Sequence, residues 1–383
     1  MDNLTHSLVG LAASKAGLER LSPAATTICI IAANAPDADI LATFGGRWSY
    51  LQHHRGITHS IVGTIALAIM IPIIFWLIEY LFARIRGRPN HLRLRGLLIA
   101  SLIVSATHPL LDWTNNYGIR PFLPWNSRWY YGDLVFIIDP WLWLGLGGTC
   151  FLLKAKSIWK TGAWLILASI LSLAIVLVPT LRPGSNFPVA AQVVWIVGIV
   201  GIVAAHRLHL ADRWGRSIPL VVFGLIIAYW GGLAILHRQV MFRAGVIAQA
   251  ESGTRGESIK RLATMPVLAN PMRWQCVFET DRATYRFDYV LGEGKTGLET
   301  LRYERPEGTD RAAYETATQD ARAKIFLGFA RFPVARIEGD CVSETLVQFA
   351  DLRYTEPGRG ARGAFSLEVP VECPGSSSQL ETK

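Results

Sequence analysis

A histidine and an aspartate stand four residues apart at the end of an apolar stretch of the sequence. His108 and Asp112 belong to the segment S-A-T-H-P-L-L-D-W-T-N-N-Y. On a helix, residues four apart share one face, with their Cβ atoms about 5–6 Å apart. An ionisable pair at the end of an apolar helix is costly to bury without a partner, and a metal ion is such a partner. The alternative is a hydrogen-bonded pair that fixes one helix against another.

Further imidazole and carboxylate groups occur in the first part of the chain. These candidates are His6, Asp37, Asp39, His53, His54 and His59. Each has an ordinary alternative role: the segment N-A-P-D-A-D is typical of turns and caps, and an interfacial histidine often caps a helix. The histidines in H-H point in different directions, so at most one of them would join a shared ion. Taken together, the candidates favour a metal site, because imidazole and carboxylate are common ligands of divalent ions.

The composition is that of a membrane protein with a soluble part. Of the 383 residues, 51% are hydrophobic and 17% are charged, whereas a soluble domain carries about a quarter charged residues. The net charge is +9, but the basic residues cluster in short loops between apolar runs. That pattern indicates membrane orientation and not nucleic-acid binding. The five cysteines include no C-x-x-C pair, so a thiolate zinc site is not expected.

The apolar runs predict a mainly α-helical membrane domain over residues 1–240 and a soluble α+β domain over residues 241–383. Residues 4–18 and 22–36 are too short to cross about 30 Å of hydrocarbon and are predicted to form a short helical hairpin. Six longer runs predict six membrane-spanning helices. They lie at about 61–83, 96–113, 134–153, 162–181, 189–205 and 218–237.

Three basic loops set the predicted orientation, because cytoplasmic loops carry an excess of Lys and Arg. The densest cluster, at 84–95, is placed in the cytoplasm, and alternation then places the basic loops at 154–160 and 207–216 on the same side. The C-terminal domain is predicted to be periplasmic. The same alternation brings one set of candidate ligands to the outer face of the membrane. This set is His6, Asp37, His59, His108 and Asp112.

The predicted outer domain has alternating patterns that indicate strands at about 274–280, 284–291 and 346–354. Residues 310–326 predict a helix. Cys276, Cys341 and Cys373 could supply one disulfide in an oxidising compartment, although the sequence does not define the pairing.

Four motifs in order resemble a known family. They are H-S-L-V-G, N-A-P-D-A-D, H-R-G-I-T-H-S and H-P-L-L-D-W-T-N-N-Y-G-I-R-P-F. Over about residues 1–180, the sequence resembles the YdjM-like family of membrane-bound proteins of the bacterial inner membrane. This family is regarded as one of metal-dependent hydrolases, distantly similar to zinc-dependent phospholipase C and the P1-type nucleases.

The resemblance implies a metal shell and a reaction. It points to Asp37, His59, His108 and Asp112 as ligands, with His6 as a further ligand, and to one or two divalent ions such as zinc. The sequence lacks the downstream H-x-x-x-E helix that a full three-zinc cluster would use. The ion would activate a water molecule, with Asp39 or His54 as the general base. A site at the outer headgroup layer would be surrounded by membrane lipids. This position favours an ester or phosphoester of a lipid or lipid-linked molecule as the substrate.

A non-enzymatic membrane protein is the competing hypothesis. The polar cluster could be the ion site of a transporter or a structural metal site, with the outer domain binding a partner. Transporters usually carry their coupling residues near the membrane midplane, in broken helices, and show repeated halves. Here the cluster is predicted at one face and the sequence shows no repeat, so a hydrolase is favoured.

Overall fold

The computed structural model describes residues 1–155, 157–181, 187–339, 345–358 and 365–371, with backbone alone over 296–299. The first two-thirds are helical, and antiparallel sheets occur only in the last third of the described chain, as the sequence predicts. Two compact units divide the chain. Unit 1 contains Met1–Asp39, Arg55–Ile235 and Pro266–Pro271, and unit 2 contains Ile40–His54, Leu236–Met265 and Met272–Lys383.

The first two helices form the predicted hairpin. Helix α1 (Asn3–Ala16) begins after Asp2, whose carboxylate accepts a hydrogen bond from the Thr5 N–H and so caps the helix. Helix α2 (Ala25–Asn34) packs against it so closely that a Cβ atom at Gly10 would lie 2.6 Å from the Cys29 carbonyl oxygen. Small residues at this crossing therefore set the distance between the two helices.

Helices α4 (Ile61–Ile85) and α5 (Leu94–Trp113) are antiparallel neighbours joined by the basic segment 86–93. Helix α5 continues through Pro109. The inner faces of α1, α2 and α5 share a core of small and aliphatic residues. This core contains Ala13, Ala25, Ile28, Cys29, Ala33, Leu97, Ala100 and Val104. The C-terminal end of α5, which carries His108, is therefore packed beside the end of α2.

Six helical stretches of the described chain are long and apolar enough to cross a membrane. They are Ala25–His53, Ile61–Ile85, Leu94–Trp113, Ile158–Leu181, Val189–Arg207 and Ser217–Gly253. Five of them match predicted spans. The first does not: the short helix predicted at 22–36 continues through a 3₁₀ stretch (Ala35–Gly45) into helix α3 (Gly46–His53).

The span predicted at 134–153 is shorter than expected. Helix α6 (Pro140–Lys154) has 15 residues and rises about 22 Å, less than the hydrocarbon thickness. It begins late because the Asp139 carboxylate caps it, accepting hydrogen bonds from the N–H groups of Trp141 and Leu142, and Pro140 stands at its first position. Asp139 also accepts a hydrogen bond from the Tyr229 hydroxyl.

The remaining helices of unit 1 follow in chain order. They are α7 (Ile158–Ser172), a π-helical turn (Leu173–Leu177), α8 (Val178–Leu181), α9 (Val189–Arg207), α10 (Leu210–Trp214) and the first part of α11 (Ser217–Gly253). The domain boundary predicted at residue 240 falls inside α11.

Unit 2 contains two antiparallel sheets. The first has the order β1 (Ile259–Val267), β2 (Asn270–Thr280), β3 (Ala283–Val290) and β4 (Gly294–Glu304), and the second has β5 (Pro333–Glu338), β6 (Thr345–Asp351) and β7 (Ser366–Val371). The C-terminal part of α11 packs on the first sheet through Val240, Ala244 and Ala248. Strands β2 and β3 place Trp274 opposite Tyr289 in this core.

The helix predicted at 310–326 is two helices, α12 (Gly308–Ala317) and α13 (Ala321–Phe329). The break occurs because Asp320 caps the second helix, accepting a hydrogen bond from the Arg322 N–H. Helix α3 packs on α13, which explains why residues 40–54 join unit 2 and not the predicted membrane domain. Cys276 is buried in β2, while Cys341 and Cys373 lie outside the described residues.

Candidate metal centre

Four of the predicted ligands converge on one point. Asp37 lies in the 3₁₀ stretch after α2, and His59 ends the 3₁₀ turn (Ile57–His59) just before α4. His108 and Asp112 lie one turn apart near the end of α5. One ligand atom from each residue lies within 4.8 Å of the other three. The antiparallel pairing of α4 with α5 brings the start of one helix to the end of the other, and the packing of α2 on α5 adds Asp37.

Five of the six distances between these atoms are close to those of a tetrahedral shell. His59 Nε2 lies 3.1 Å from His108 Nε2 and 3.3 Å from Asp37 Oδ1. Asp112 Oδ2 lies 3.3 Å from His59 Nε2 and 3.4 Å from His108 Nε2. His108 Nε2 lies 3.5 Å from Asp37 Oδ1. Four ligands bound at about 2.0–2.1 Å to one tetrahedral ion are about 3.3–3.4 Å apart. Five of the six separations are therefore close to those of a zinc shell, and the sixth, between Asp37 and Asp112, is within 4.8 Å.

The contacts of the Nδ1 atoms of His59 and His108 indicate that the Nε2 atoms face the centre of the four-residue cluster. His108 Nδ1 lies 2.6 Å from the Ala33 carbonyl oxygen, which can only accept, so Nδ1 is the donor. His59 Nδ1 lies 3.3 Å from Asp39 Oδ2, a carboxylate oxygen to which it donates, and 3.2 Å from the Thr58 hydroxyl oxygen. In the neutral rings, two nitrogen lone pairs and two carboxylate oxygens then face one another. Such a cluster of acceptors repels itself unless a cation lies between them.

The raised pKa of His59 shows that the surrounding carboxylates favour a positive charge at this position. Burial lowers this pKa, but hydrogen bonds to Asp112, Asp37 and Asp39 outweigh the burial and raise it to about 10. The carboxylates thus stabilise a proton on the ring when no other cation is bound. A divalent ion would take the place of that proton, as metal binding to histidine generally does.

His6 lies directly beside this cluster. Its ring stacks on that of His108, with centroids 3.7 Å apart, and its Nε2 lies 3.5 Å from Asp112 Oδ1. Neither ring nitrogen has a hydrogen-bond partner within the described chain. Burial lowers the pKa of His6 to about 4, so the ring is neutral at pH 7. A buried imidazole without partners is costly, and binding of an ion or of an ion-associated water would compensate it.

The second oxygen of Asp112 is already engaged. Arg55 donates a hydrogen bond from Nη2 to Asp112 Oδ1 at 2.9 Å, and the Met1 ammonium group contacts the same oxygen. Only Oδ2 is therefore directed at the four-atom point. The Arg55 guanidinium at Oδ1 disfavours a second cation bridged by this carboxylate, so the geometry fits one ion better than two.

The two predicted general bases have other contacts. Asp39 Oδ2 accepts a hydrogen bond from the Arg55 N–H at 2.8 Å and lies beside His59 Nδ1, so Asp39 orients His59 from behind. His54 belongs to unit 2, where its ring stacks on Tyr50. The exposed ring of His53 contacts the Ser49 carbonyl oxygen. The catalytic roles of Asp39 and His54 remain predictions.

Asp37 is the accessible member of the shell. Its side chain is 16% exposed, while those of the other three are 0–1% exposed. Asp37 Oδ2 accepts a hydrogen bond from the exposed Asn3 amide at 3.0 Å. A molecule that reaches the centre from solvent would therefore approach on the side of Asp37 and Asn3.

Arg55 is a site residue that the sequence analysis missed. It is 3% exposed and bridges the segments that carry Asp39 and Asp112. The available signal was its place in H-R-G-I-T-H-S, four residues before His59.

Comparison with known proteins identifies the N-terminal part of the chain. Residues 1–183 match the family model described as YdjM inner membrane protein. This confirms the resemblance predicted from the motifs, and together with the apolar helices it makes the chain a multi-pass membrane protein. All the candidate ligands lie within the matched region.

The chain is also similar to the uncharacterized protein YfhP of Bacillus subtilis (strain 168). The two are 30% identical over 172 residues, which are 42% of this chain and 47% of YfhP. The chain thus spans about half the length of this curated relative. No solved structure matches the chain.

Proposed function

We propose that this chain, whose residues 1–183 match the YdjM inner membrane protein family, is a membrane-bound metal-dependent hydrolase. One divalent ion, zinc, would be held by Asp37, His59, His108 and Asp112. The observation that carries the proposal is the convergence of four acceptor atoms within 4.8 Å at the buried end of α5. Two nitrogen and two oxygen ligands suit zinc, whereas calcium and magnesium prefer more numerous oxygen ligands.

The residues around the shell suit hydrolysis. When bound, the ion would act as a Lewis acid that polarises an ester oxygen and lowers the pKa of a nearby water. His6 is buried beside the shell, and neither of its ring nitrogens has a hydrogen-bond partner in the described chain, so a ring nitrogen is available to accept the proton of an attacking water. Because Asp39 is engaged by Arg55 and His59, we favour His6 over Asp39 and His54 as the general base.

The position of the centre along the helices favours a lipid substrate. His59 directly precedes α4, and Asp112 is in the last turn of α5. The shell therefore lies at the end of a spanning helix pair and not at its middle. At that level a headgroup ester or phosphoester comes within reach of the exposed side of Asp37. We propose a lipid or lipid-linked ester or phosphoester as the substrate class.

A structural metal site is the second candidate. Structural zinc sites have four protein ligands, whereas catalytic sites usually have three and an open position. The four-residue shell favours this alternative, and the partial exposure of Asp37 favours catalysis, because this ligand can be reached and exchanged from solvent.

The distinguishing experiment uses a His6→Gln variant beside the wild type. Both proteins, loaded with zinc in mixed micelles, would be assayed on phosphodiester, phosphomonoester and acyl-ester lipids. We expect the variant to keep its zinc and lose about 100- to 10,000-fold of the wild-type rate, as removal of a general base does. Loss of zinc from the variant would make His6 a ligand instead.

An inactive wild type would reject the enzymatic proposal. If zinc-loaded wild-type protein hydrolyses none of the three lipid classes, the centre is structural or belongs to a transporter. A His91→Ala variant serves as a control for both readouts, because His91 is exposed and is not part of the cluster.

The proposed orientation has its own test. We propose that α6 crosses the membrane although it has only 15 residues. With α6 counted as a crossing, cytoplasmic placement of the basic segment 86–93 places the C-terminal part of the chain in the periplasm by alternation. Alkaline phosphatase fused after Lys383 should then be active in cells, and green fluorescent protein fused at the same point should be dark. The reverse result would place the C-terminal part in the cytoplasm.

A further inference from the structure

We propose that Arg55 is a positioning residue. It holds the segment of Asp39 and His59 and the segment of Asp112 in fixed positions around the candidate metal centre. This inference rests on the metal centre proposed above. Arg55 lies in the turn between α3 and the 3₁₀ turn that ends at His59, and it is buried. A charged side chain is rarely buried unless its partners are built around it. The partners of Arg55 are the groups that orient the ligands.

The backbone of Arg55 serves one side of the shell. Its N–H donates to Asp39 Oδ2 at 2.8 Å, and the same oxygen lies 3.3 Å from His59 Nδ1. Arg55 has a φ of 51°, a left-handed conformation that is uncommon for residues other than glycine. Such conformations persist where the surrounding structure imposes them, and they cluster at functional sites. Here the conformation allows the N–H of Arg55 to reach Asp39 while its side chain reaches Asp112.

The guanidinium group serves the other side. Nη2 donates to Asp112 Oδ1 at 2.9 Å, which leaves Oδ2 directed at the shell. Nη1 donates to the carbonyl oxygens of Asp112 and Gly118 and to Asn115 Oδ1, at 3.0–3.3 Å. The carboxylate and the chain that follows α5 are thereby fixed together.

The planar fork of arginine is needed for this pattern. Its donors diverge in one plane and reach four acceptors, and the guanidinium also lies over the Tyr117 ring, 4.6 Å from its centroid. A lysine ammonium group carries the charge but cannot reproduce the fork. Arg55 and Asp112 are 57 residues apart, so one side chain couples parts of the shell that are distant in sequence.

The experiment measures zinc affinity by competition with a chromophoric chelator for Arg55→Met and Arg55→Lys. Outer partners of metal ligands typically contribute about 10- to 100-fold to affinity, so we expect a loss in this range for the methionine variant. The lysine variant should recover part of the loss. The control is Arg120→Met: Arg120 donates to the Arg55 carbonyl oxygen and stacks over Trp129, and this variant should bind zinc as the wild type does.

A chemical rescue separates positioning from general stability. Arg55→Gly keeps the backbone N–H that donates to Asp39 and tolerates the left-handed backbone, while it removes the whole side chain with its guanidinium. Low millimolar guanidinium chloride, but not urea, should restore part of its zinc affinity.

Three results would overturn the inference while leaving the metal centre intact. They are wild-type affinity in Arg55→Met, an equal loss in Arg120→Met, and failure of Arg55→Met to fold even with excess zinc, which would make Arg55 a residue of the fold. A wild type that binds no zinc would instead reject the proposed function, and this inference with it.

Discussion

Replacement of His108 with alanine should leave the purified protein without its metal. His108 Nε2 lies within 3.5 Å of the three other ligand atoms, so its removal opens the shell on every side. We expect zinc affinity to fall by more than about 100-fold, the upper end of the loss caused by outer partners alone. Elemental analysis after purification without chelators, with zinc supplied, would measure the change from one ion per chain to nearly none.

The His59→Ala/His108→Ala double variant tests whether the two histidines share that ion. Its additional loss of zinc should be small, because the second substitution acts on a site that is already empty. Full zinc content in His108→Ala would contradict the four-residue shell. In that case His59 and His108 would be interhelical hydrogen-bonding partners, and each substitution would lower stability without changing the metal content.

Replacement of Asp112 with alanine should destabilise the fold even when no metal is present. The side chains of Asp112 and Arg55 are 1% and 4% exposed, and their charges are 2.9 Å apart. Removing one partner of a buried ion pair leaves the other charge uncompensated and typically costs about 3–5 kcal/mol. The measurement is reversible unfolding of the metal-free protein in mixed micelles.

The Asp112→Ala/Arg55→Met double variant provides the matched control. It removes both charges of this pair, so the part of the loss that comes from the unpaired Arg55 guanidinium should return. A loss below about 1 kcal/mol in Asp112→Ala, the range of exposed ion pairs, would show that water reaches the Arg55 guanidinium and that the pair is not buried in solution.

The convergence of the candidate ligands could be predicted because their signals are local. His108 and Asp112 are one helical turn apart, and α5 continues through Pro109, so the spacing alone placed both side chains on one face. The hairpin of α1 and α2 and the pairing of α4 with α5 follow from short connections between apolar runs. Asp37 and His59 stand at the ends of those runs, which is why chain topology sufficed to bring them to the same level.

Arg55 could not be found in the same way, because its burial depends on distant acceptors. An arginine in a polar loop is normally solvated, and the atoms that bury this one belong to residues 112–118. The role of Asp39 depends in turn on the Arg55 N–H. The short α6 did have a local signal, Asp139 followed by Pro140, but hydropathy alone extends the run further towards the N-terminus.

The pairing of α4 with α5 has a consequence for biosynthesis. His59 precedes α4 and is synthesised well before His108 and Asp112, which lie at the far end of α5. A nascent chain that has inserted only α4 offers Asp37 and His59, half of the shell. If the chain binds the proposed ion, the complete shell forms only after both helices have inserted and paired, and a chain that has acquired its ion has also completed this step of assembly. Metal occupancy of the centre would thus distinguish fully inserted protein from chains in which α4 and α5 have not yet paired.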